Sequence, residues 1–171
     1  MLYDKLRADI LATRDRRETL VAEVIKSTRD TVVFASLNIP GAEKCPPGAR
    51  PLFDAALQGV RELPGPIRLN TDGMDTLGPF AIFIAPWRAD RVKRACALIE
   101  GENPGMRLVD LDVYDAGHGR IGRRELGLEP RRCFLCTRLA LECIRFGRHS
   151  PEELQSHVDA LLGDLSNAPT G

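Results

Sequence analysis

Residues 109–113 alternate apolar and acidic side chains, in the order Val-Asp-Leu-Asp-Val. Because side chains along a β-strand point alternately to opposite faces, Asp110 and Asp112 share one face and the apolar residues share the other. The pattern predicts a strand anchored in a core, with two carboxylates roughly 7 Å apart along its other face. Such a pair suits Mg²⁺, which takes oxygen ligands and uses one or two carboxylates. The same alternation is also common in half-exposed sheets that bind nothing.

An arginine-rich segment follows this acidic strand. Residues 116–150 contain eight Arg and three Glu, whereas residues 151–171 contain four acidic residues and no Lys or Arg. Over the whole chain, 24 basic residues balance 24 acidic residues, which argues against nucleic acid or a membrane as a partner bound by bulk charge. The basic segment is therefore a local candidate for anion binding. Paired carboxylates followed by clustered guanidinium groups are typical of sites that transfer phosphorus-centred groups.

The remaining sequence alternates predicted helices and strands. Apolar residues at helical spacing predict helices at about residues 3–28, 50–63, 88–100 and 151–163. The last helix is expected to begin with Ser150 as its N-cap, Pro151 at the first position and Glu153 three residues after the cap. Apolar and β-branched runs predict strands at residues 31–37, 67–69, 80–85 and 107–114. Residues 70–79 are expected to be a polar loop. We therefore predict a single α+β domain over residues 1–171, in which helices and a mixed β-sheet form two layers and a Cys- and Arg-rich segment at about 116–150 precedes the terminal helix.

Two further features supply candidate anion ligands. A loop with Asn38, Gly41 and Lys44 follows the first predicted strand and suits a phosphate, through its backbone N–H groups and an ammonium, although it does not match the P-loop pattern. Arg17 falls on the apolar stripe of the first predicted helix. It either extends from the edge of the core with its charged group in water or reaches into a site to bind an anion.

Three of the five cysteines lie close together in the sequence, and a histidine follows them. Cys133 and Cys136 form a Cys-x-x-Cys pair, and Cys143 and His149 would complete a Cys₃His zinc site. Two alternatives stay open: a redox pair, which requires a βαβ context not apparent here, and buried structural thiols in an apolar segment. Clustered cysteines without an export signal or a membrane-spanning run predict a cytoplasmic protein.

Motifs spread over about residues 14–160 match the pattern of a known family. They are Arg14-Asp15-x-Arg17, Leu37-Asn38-Ile39-Pro40-Gly41-x-x-Lys44, Arg107–Val113, Arg123-Arg124, Pro130-Arg131-Arg132-Cys133-x-Leu135-Cys136, Cys143-x-Arg145 and His149. In this respect the chain resembles the citrate lyase holo-acyl-carrier-protein synthases, also called apo-citrate lyase phosphoribosyl-dephospho-CoA transferases. Gly122 departs from the pattern, which has Ser before the arginine pair.

The resemblance implies a nucleotidyltransferase. The donor would be triphosphoribosyl-dephospho-CoA, the acceptor a serine of the apo acyl carrier protein subunit of citrate lyase, and the second product pyrophosphate. Asp110 and Asp112 would be catalytic and would bind Mg²⁺. The residues expected to bind the donor are Asn38, Gly41, Lys44, Arg123, Arg124, Arg132 and Arg148. The cysteine cluster would be structural, with or without zinc.

Several alternatives remain open at this point. One alternative is another Mg²⁺-dependent nucleotidyltransferase with a different acceptor. The other is a zinc-stabilised module that binds carrier proteins through its basic segment. A third metal-binding carboxylate is also expected. The candidates for it are Asp72, Asp75, Asp115 and Glu125.

Overall fold

The computed structural model describes residues 2–41 and 43–166, in which α-helices pack on both faces of one β-sheet. The α-helices are α1 (Leu2–Ser27), α2 (Ala49–Arg61), α3 (Ala89–Ile99), α4 (Ala140–Phe146) and α5 (Pro151–Ser166). The strands are β1 (Thr31–Leu37), β2 (Arg68–Asp75), β3 (Gly78–Ala85), β4 (Val109–Asp115) and β5 (Gly119–Ile121). Short 3₁₀ helices lie at Gly105–Leu108 and Arg124–Leu126.

The strands that the described residues form lie in the order β2-β3-β1-β4-β5, and every neighbouring pair is antiparallel. The α+β class is therefore confirmed, but the expectation of a mixed sheet is wrong. Tight turns join β2 to β3 and β4 to β5, and a connection of this length can only join antiparallel neighbours. The predicted polar loop at 70–79 is also wrong, because most of it is β2, whose backbone pairs with β3 despite its polar sequence.

Both faces of the sheet are covered by helices. On one face, Val33 and Leu111 belong to the main core, which α2 and α3 complete. On the other face, Val32 packs in a second cluster with Val21 and Val24 of α1. The fold therefore has three layers instead of the predicted two, because the apolar stripe of α1 packs on the face of the sheet opposite α2 and α3.

The acidic face of β4 lies on the same side of the sheet as α1. In the register of β1 and β4, Ser36 is opposite Asp110 and Phe34 is opposite Asp112. Phe34 belongs to the cluster that α1 covers, so both carboxylates face that side. Asp110 and Asp112 therefore share one face of β4, as the alternation at 109–113 predicts.

The last helix begins at the predicted capping residues. The Ser150 hydroxyl accepts a hydrogen bond from the Glu153 N–H at 3.1 Å, and the Glu153 carboxylate accepts one from the Ser150 N–H at 2.8 Å. This capping box directs α5 onto the core, where Val158 and Leu162 are buried. Across residues 2–41 and 43–166, none of the helices combines the length and the apolar character needed to cross a membrane.

Candidate active site and metal-binding cluster

Asp110 and Asp112 line one cavity of about 320 Å³, which we call the aspartate cavity. Each carboxylate has a guanidinium partner: Arg131 Nη2 donates to Asp110 Oδ1 at 2.9 Å, and Arg120 Nη2 lies 3.0 Å from Asp112 Oδ1. The Asp112 side chain is 17% exposed and that of Arg120 is 61% exposed. An incoming ligand can therefore displace Arg120 more easily than it can expose Asp112.

Asp110 and Asp112 bring more negative charge to the aspartate cavity than the neighbouring groups stabilise. Burial and the nearby charge of Asp110 raise the pKa of Asp112 to about 6, although the charges of Arg120 and Lys93 oppose the shift. Burial, together with the charge of Asp112, likewise raises the pKa of Tyr114 to about 12, so its hydroxyl stays protonated at neutral pH. A cation between the two carboxylates would relieve this repulsion, and two oxygen ligands of this kind suit a divalent ion.

Positive groups from α1 and from the loop after β1 complete the aspartate cavity. Burial lowers the pKa of Lys44, and the charge of Arg14 lowers it further. Lys44 Nζ donates to the Ile39 carbonyl at 2.8 Å, which folds the loop back on itself. Asn38 lines the same cavity, and Gly41 turns the loop with a φ of +88°. The structure thus brings the predicted Asn38 and Lys44 to the two aspartates.

Arg17 makes a buried ion pair near the edge of the aspartate cavity. Its Nε and Nη2 donate to the two carboxylate oxygens of Asp75 at 2.9 and 2.7 Å, and Nη2 also donates to the Gly78 carbonyl at 2.7 Å. The guanidinium lies 4.9 Å from the ring centroid of Phe80. Arg17 thus lines the aspartate cavity, but its guanidinium is buried instead of lying in water, and it is paired with Asp75 instead of being open to an anion.

Glu100, which was not predicted from the sequence, stabilises the segment of β4 that carries Asp110 and Asp112. The Glu100 side chain is 1% exposed, and its Oε1 accepts the backbone N–H of Leu111 at 2.8 Å. Leu111 lies between the two aspartates, where β5 no longer pairs with β4, so its N–H needs a side-chain partner. Lys93 Nζ donates to the Leu111 carbonyl at 2.6 Å.

The same glutamate holds two arginines of the basic segment. Glu100 Oε1 lies 2.7 Å from Arg131 Nη2, and Glu100 Oε2 lies 2.5 Å from Arg123 Nη2. Burial opposes its ionisation, but the charges of Arg131 and Lys93 and hydrogen bonds from Arg123 and the Leu111 N–H hold the pKa of Glu100 below its usual range. Glu100, Arg131 and Asp110 therefore form a continuous chain of contacts.

The remaining predicted arginines lie apart from the aspartate cavity. Arg123 and Arg132 line a second, larger cavity of about 680 Å³, which we call the distal cavity. Arg124 and Arg148 are exposed and line neither cavity, and Arg148 lies 5.2 Å from the ring centroid of Phe146. The structure thus divides the predicted anion ligands among three places.

None of the four acidic residues expected to supply a third carboxylate lines the aspartate cavity among the described residues. Glu18 of α1 does line it, together with Arg14. The helical spacing of Arg14, Glu18 and Val21 is the signal that could have identified this face of α1, because i, i+4 and i+7 lie on one side of a helix.

Cys133, Cys136, Cys143 and His149 form a compact cluster. One donor atom from each of them lies within 4.8 Å of every other, and Cys136 Sγ lies 3.5 Å from Cys143 Sγ. Cys133 N–H donates to the Arg138 carbonyl at 2.8 Å, which closes the short hairpin between the first two cysteines and α4. His149 Nε2 is buried and, within the described part of the chain, has no hydrogen-bond partner. These four donors are compatible with a metal site of the Cys₃His type.

Comparisons with known proteins give one consistent result. The sequence model of the apo-citrate lyase phosphoribosyl-dephospho-CoA transferase family matches residues 6–165. A protein of Vibrio cholerae serotype O1 (strain M66-2), named a probable apo-citrate lyase phosphoribosyl-dephospho-CoA transferase, is 32% identical over 163 residues, which cover 92% of this chain and 91% of that protein. A protein of the same name from Streptococcus pyogenes serotype M18 is 29% identical over 166 residues, covering 94% of this chain and 86% of that one.

Proposed function

The chain belongs to the apo-citrate lyase phosphoribosyl-dephospho-CoA transferase family, and on that basis we propose that it loads the prosthetic group onto citrate lyase. The donor is triphosphoribosyl-dephospho-CoA. The acceptor is a serine hydroxyl of the apo acyl carrier protein subunit, and pyrophosphate is released. The observation that carries this proposal is the pair Asp110 and Asp112, which shares one cavity with the cationic Lys44 and Arg14.

Asp110 and Asp112 are the residues that would hold Mg²⁺ in this reaction. The raised pKa of Asp112 and the arginine partners of both carboxylates indicate a site whose negative charge a bound cation would stabilise. When bound, the ion would polarise a phosphoryl oxygen and screen the charge of the triphosphate. The protein's own contribution is to fix both carboxylates on a rigid strand, which Glu100 supports through the Leu111 N–H.

The transfer is a displacement at the α-phosphorus of the donor. The serine oxygen forms a bond to this phosphorus, and the bond from phosphorus to the oxygen that bridges to the β-phosphate breaks. The serine proton passes to one carboxylate of the aspartate pair, and the electron pair of the broken bond leaves with pyrophosphate. Lys44, Arg14 and Arg120, which line the cavity, supply the positive charge that stabilises the departing anion.

The intact mass of apo acyl carrier protein tests this function directly. After incubation with the purified chain, Mg²⁺ and triphosphoribosyl-dephospho-CoA, the carrier should gain the mass of the donor minus pyrophosphate. A carrier whose acceptor serine is replaced by alanine should gain nothing. An unchanged mass with authentic donor and carrier would contradict the proposal and would favour a different acceptor or a carrier-binding role without catalysis.

The second part of the proposal is a structural zinc ion bound by Cys133, Cys136, Cys143 and His149. With sulfur at about 2.3 Å and nitrogen at about 2.0 Å from a tetrahedral zinc, two sulfurs lie about 3.8 Å apart and a sulfur and a nitrogen about 3.5 Å apart. The 3.5 Å separation of the Cys136 and Cys143 sulfurs is close to the first of these distances, all four donor atoms lie within 4.8 Å of one another, and the unpartnered His149 Nε2 provides the fourth donor. Zinc would tie α4 to the hairpin that carries Arg131 and Arg132.

Metal analysis of the purified chain should find about one zinc per chain. The variants Cys136→Ser and Cys143→Ser should lose it and should unfold at lower temperature, because a bound metal adds its binding free energy to that of folding. Cys45→Ser is the matched control, since Cys45 is a half-buried cysteine outside the cluster and its loss should leave the zinc content unchanged. Full zinc content in both cluster variants would contradict the assignment.

A further inference from the structure

The distal cavity adjoins the aspartate cavity. Asn38, Ile39 and Lys44 line both of them, so the loop after β1 forms a wall that the two spaces share. The two cavities therefore lie next to each other, and a ligand that occupies both would have to pass the loop at Lys44. At about 680 Å³, the distal cavity has the size of an ordinary small-molecule site.

The walls of the distal cavity combine apolar and cationic groups. Phe134 and Ile144 contribute apolar surface, and Arg107, Arg123 and Arg132 contribute guanidinium groups. This combination suits a ligand with an aromatic base, an apolar arm and a diphosphate, and it would be a poor site for a bare inorganic anion.

A buried donor in this wall has no partner within the described residues. Arg123 Nη2 is held by Glu100, whereas its Nε is buried and makes no hydrogen bond there. A buried N–H without an acceptor is costly, so a small shift of the Arg123 side chain that lets this N–H donate to a ligand oxygen in the cavity would be favourable. This observation is independent of the shared wall and also indicates an occupant that carries acceptor atoms.

We propose that the distal cavity binds the dephospho-CoA arm of the donor while the triphosphate lies in the aspartate cavity. This inference rests on the proposed function, because it names the place of a donor that the function requires. The adenine and the pantetheine arm would contact Phe134 and Ile144, and the diphosphate would lie near Arg107 and Arg123. Ile144, in α4, is 76% exposed and lines the cavity, so its side chain can be changed with little effect on the core.

The test uses dephospho-CoA as the probe, titrated into the purified chain by calorimetry. Ile144→Glu should weaken its binding by at least about tenfold, because a carboxylate at the cavity wall repels the diphosphate and removes apolar contact. Leu141→Glu is the matched control: Leu141 is in the same helix, is 79% exposed and does not line the cavity. The control should bind like the unmodified chain.

The outcomes separate this inference from the proposed function. If the unmodified chain modifies the carrier but Ile144→Glu binds dephospho-CoA normally, the function stands and the assignment of the distal cavity is wrong. If Ile144→Glu weakens only the binding of apo carrier protein, the cavity belongs to the acceptor and the proposal is likewise overturned. If the unmodified chain neither binds dephospho-CoA nor modifies the carrier, the proposed function is wrong, and the inference that rests on it is wrong as well.

A measurement on the unmodified chain does not depend on any variant. Dephospho-CoA should slow amide hydrogen exchange in residues 129–149, which include α4 and the cysteine hairpin. Exchange in the β2–β3 hairpin, at residues 68–85, should stay unchanged. Protection confined to β2–β3, with none in residues 129–149, would overturn the proposal.

Discussion

Asp110→Asn and Asp112→Asn should each transfer the prosthetic group about 10²–10³ times more slowly than the unmodified chain. Each change removes an anionic oxygen ligand from the cavity where the triphosphate is proposed to bind, while the amide keeps the size of the side chain. The measurement is the rate at which apo acyl carrier protein gains mass, at saturating donor and Mg²⁺. Asp72→Asn serves as the control, because Asp72 is exposed on β2 and does not line this cavity. A normal rate in either aspartate variant would show that its carboxylate is not part of the site.

Asp112→Asn should be at least as stable as the unmodified chain at neutral pH, so unfolding should not be the cause of its slow rate. Since the pKa of Asp112 is raised to about 6 in the folded chain, the folded state retains a proton that the unfolded state releases between about pH 4 and 6. Stability from this group is therefore lost as pH rises through that window. Above it, the charged carboxylate costs about 1–3 kcal/mol, a cost that asparagine avoids. Without Mg²⁺, the variant should resist urea better than the unmodified chain at pH 7.5 and equally at pH 4.

Replacing Glu100 should have the largest effect on stability. Glu100→Ala leaves Arg123, Arg131 and Lys93 without their buried counter-charge and the Leu111 N–H without its acceptor. Breaking a buried ion network by removing one member costs about 3–5 kcal/mol. Urea denaturation should show this loss as a lower midpoint with an unchanged slope.

The matched control for this change is two residues away. Glu102 is exposed, so Glu102→Ala should unfold at the same urea concentration as the unmodified chain. Because Glu100 also holds Arg131 on Asp110, a folded Glu100→Gln protein should transfer more slowly as well. Equal stability of the Glu100→Ala and Glu102→Ala proteins would mean that the network contributes no net free energy.

The sequence predicts the parts of this site that depend on local periodicity. The alternation at 109–113 gives the correct face for both aspartates, and the Ser150–Glu153 pair gives the correct start of α5. Local periodicity does not predict β2, because this polar edge strand with a glycine at position 73 forms only through pairing with β3. The prediction of a mixed sheet is wrong for the same reason, since the direction of each strand relative to its neighbour depends on which distant segments pair.

Glu100 shows why the rest of the site could not be predicted. It follows the last residue of α3, and nothing in its neighbours distinguishes it from the exposed Glu102. Its role arises from an unpaired N–H in β4 and from two arginines that are 23 and 31 residues further along the chain. Such a position follows from the tertiary fold alone.

The strand order also governs when the site can form during synthesis. β1 is the central strand, and its two neighbours are β3, which ends at Ala85, and β4, which ends at Asp115. Contacts between segments so far apart in sequence form slowly, because a long loop must close before they stabilise the chain. The hydrophobic strand Thr31–Leu37 therefore has an unpaired edge until residue 115 has left the ribosome. That interval exposes the nascent chain to aggregation and favours its protection by a chaperone.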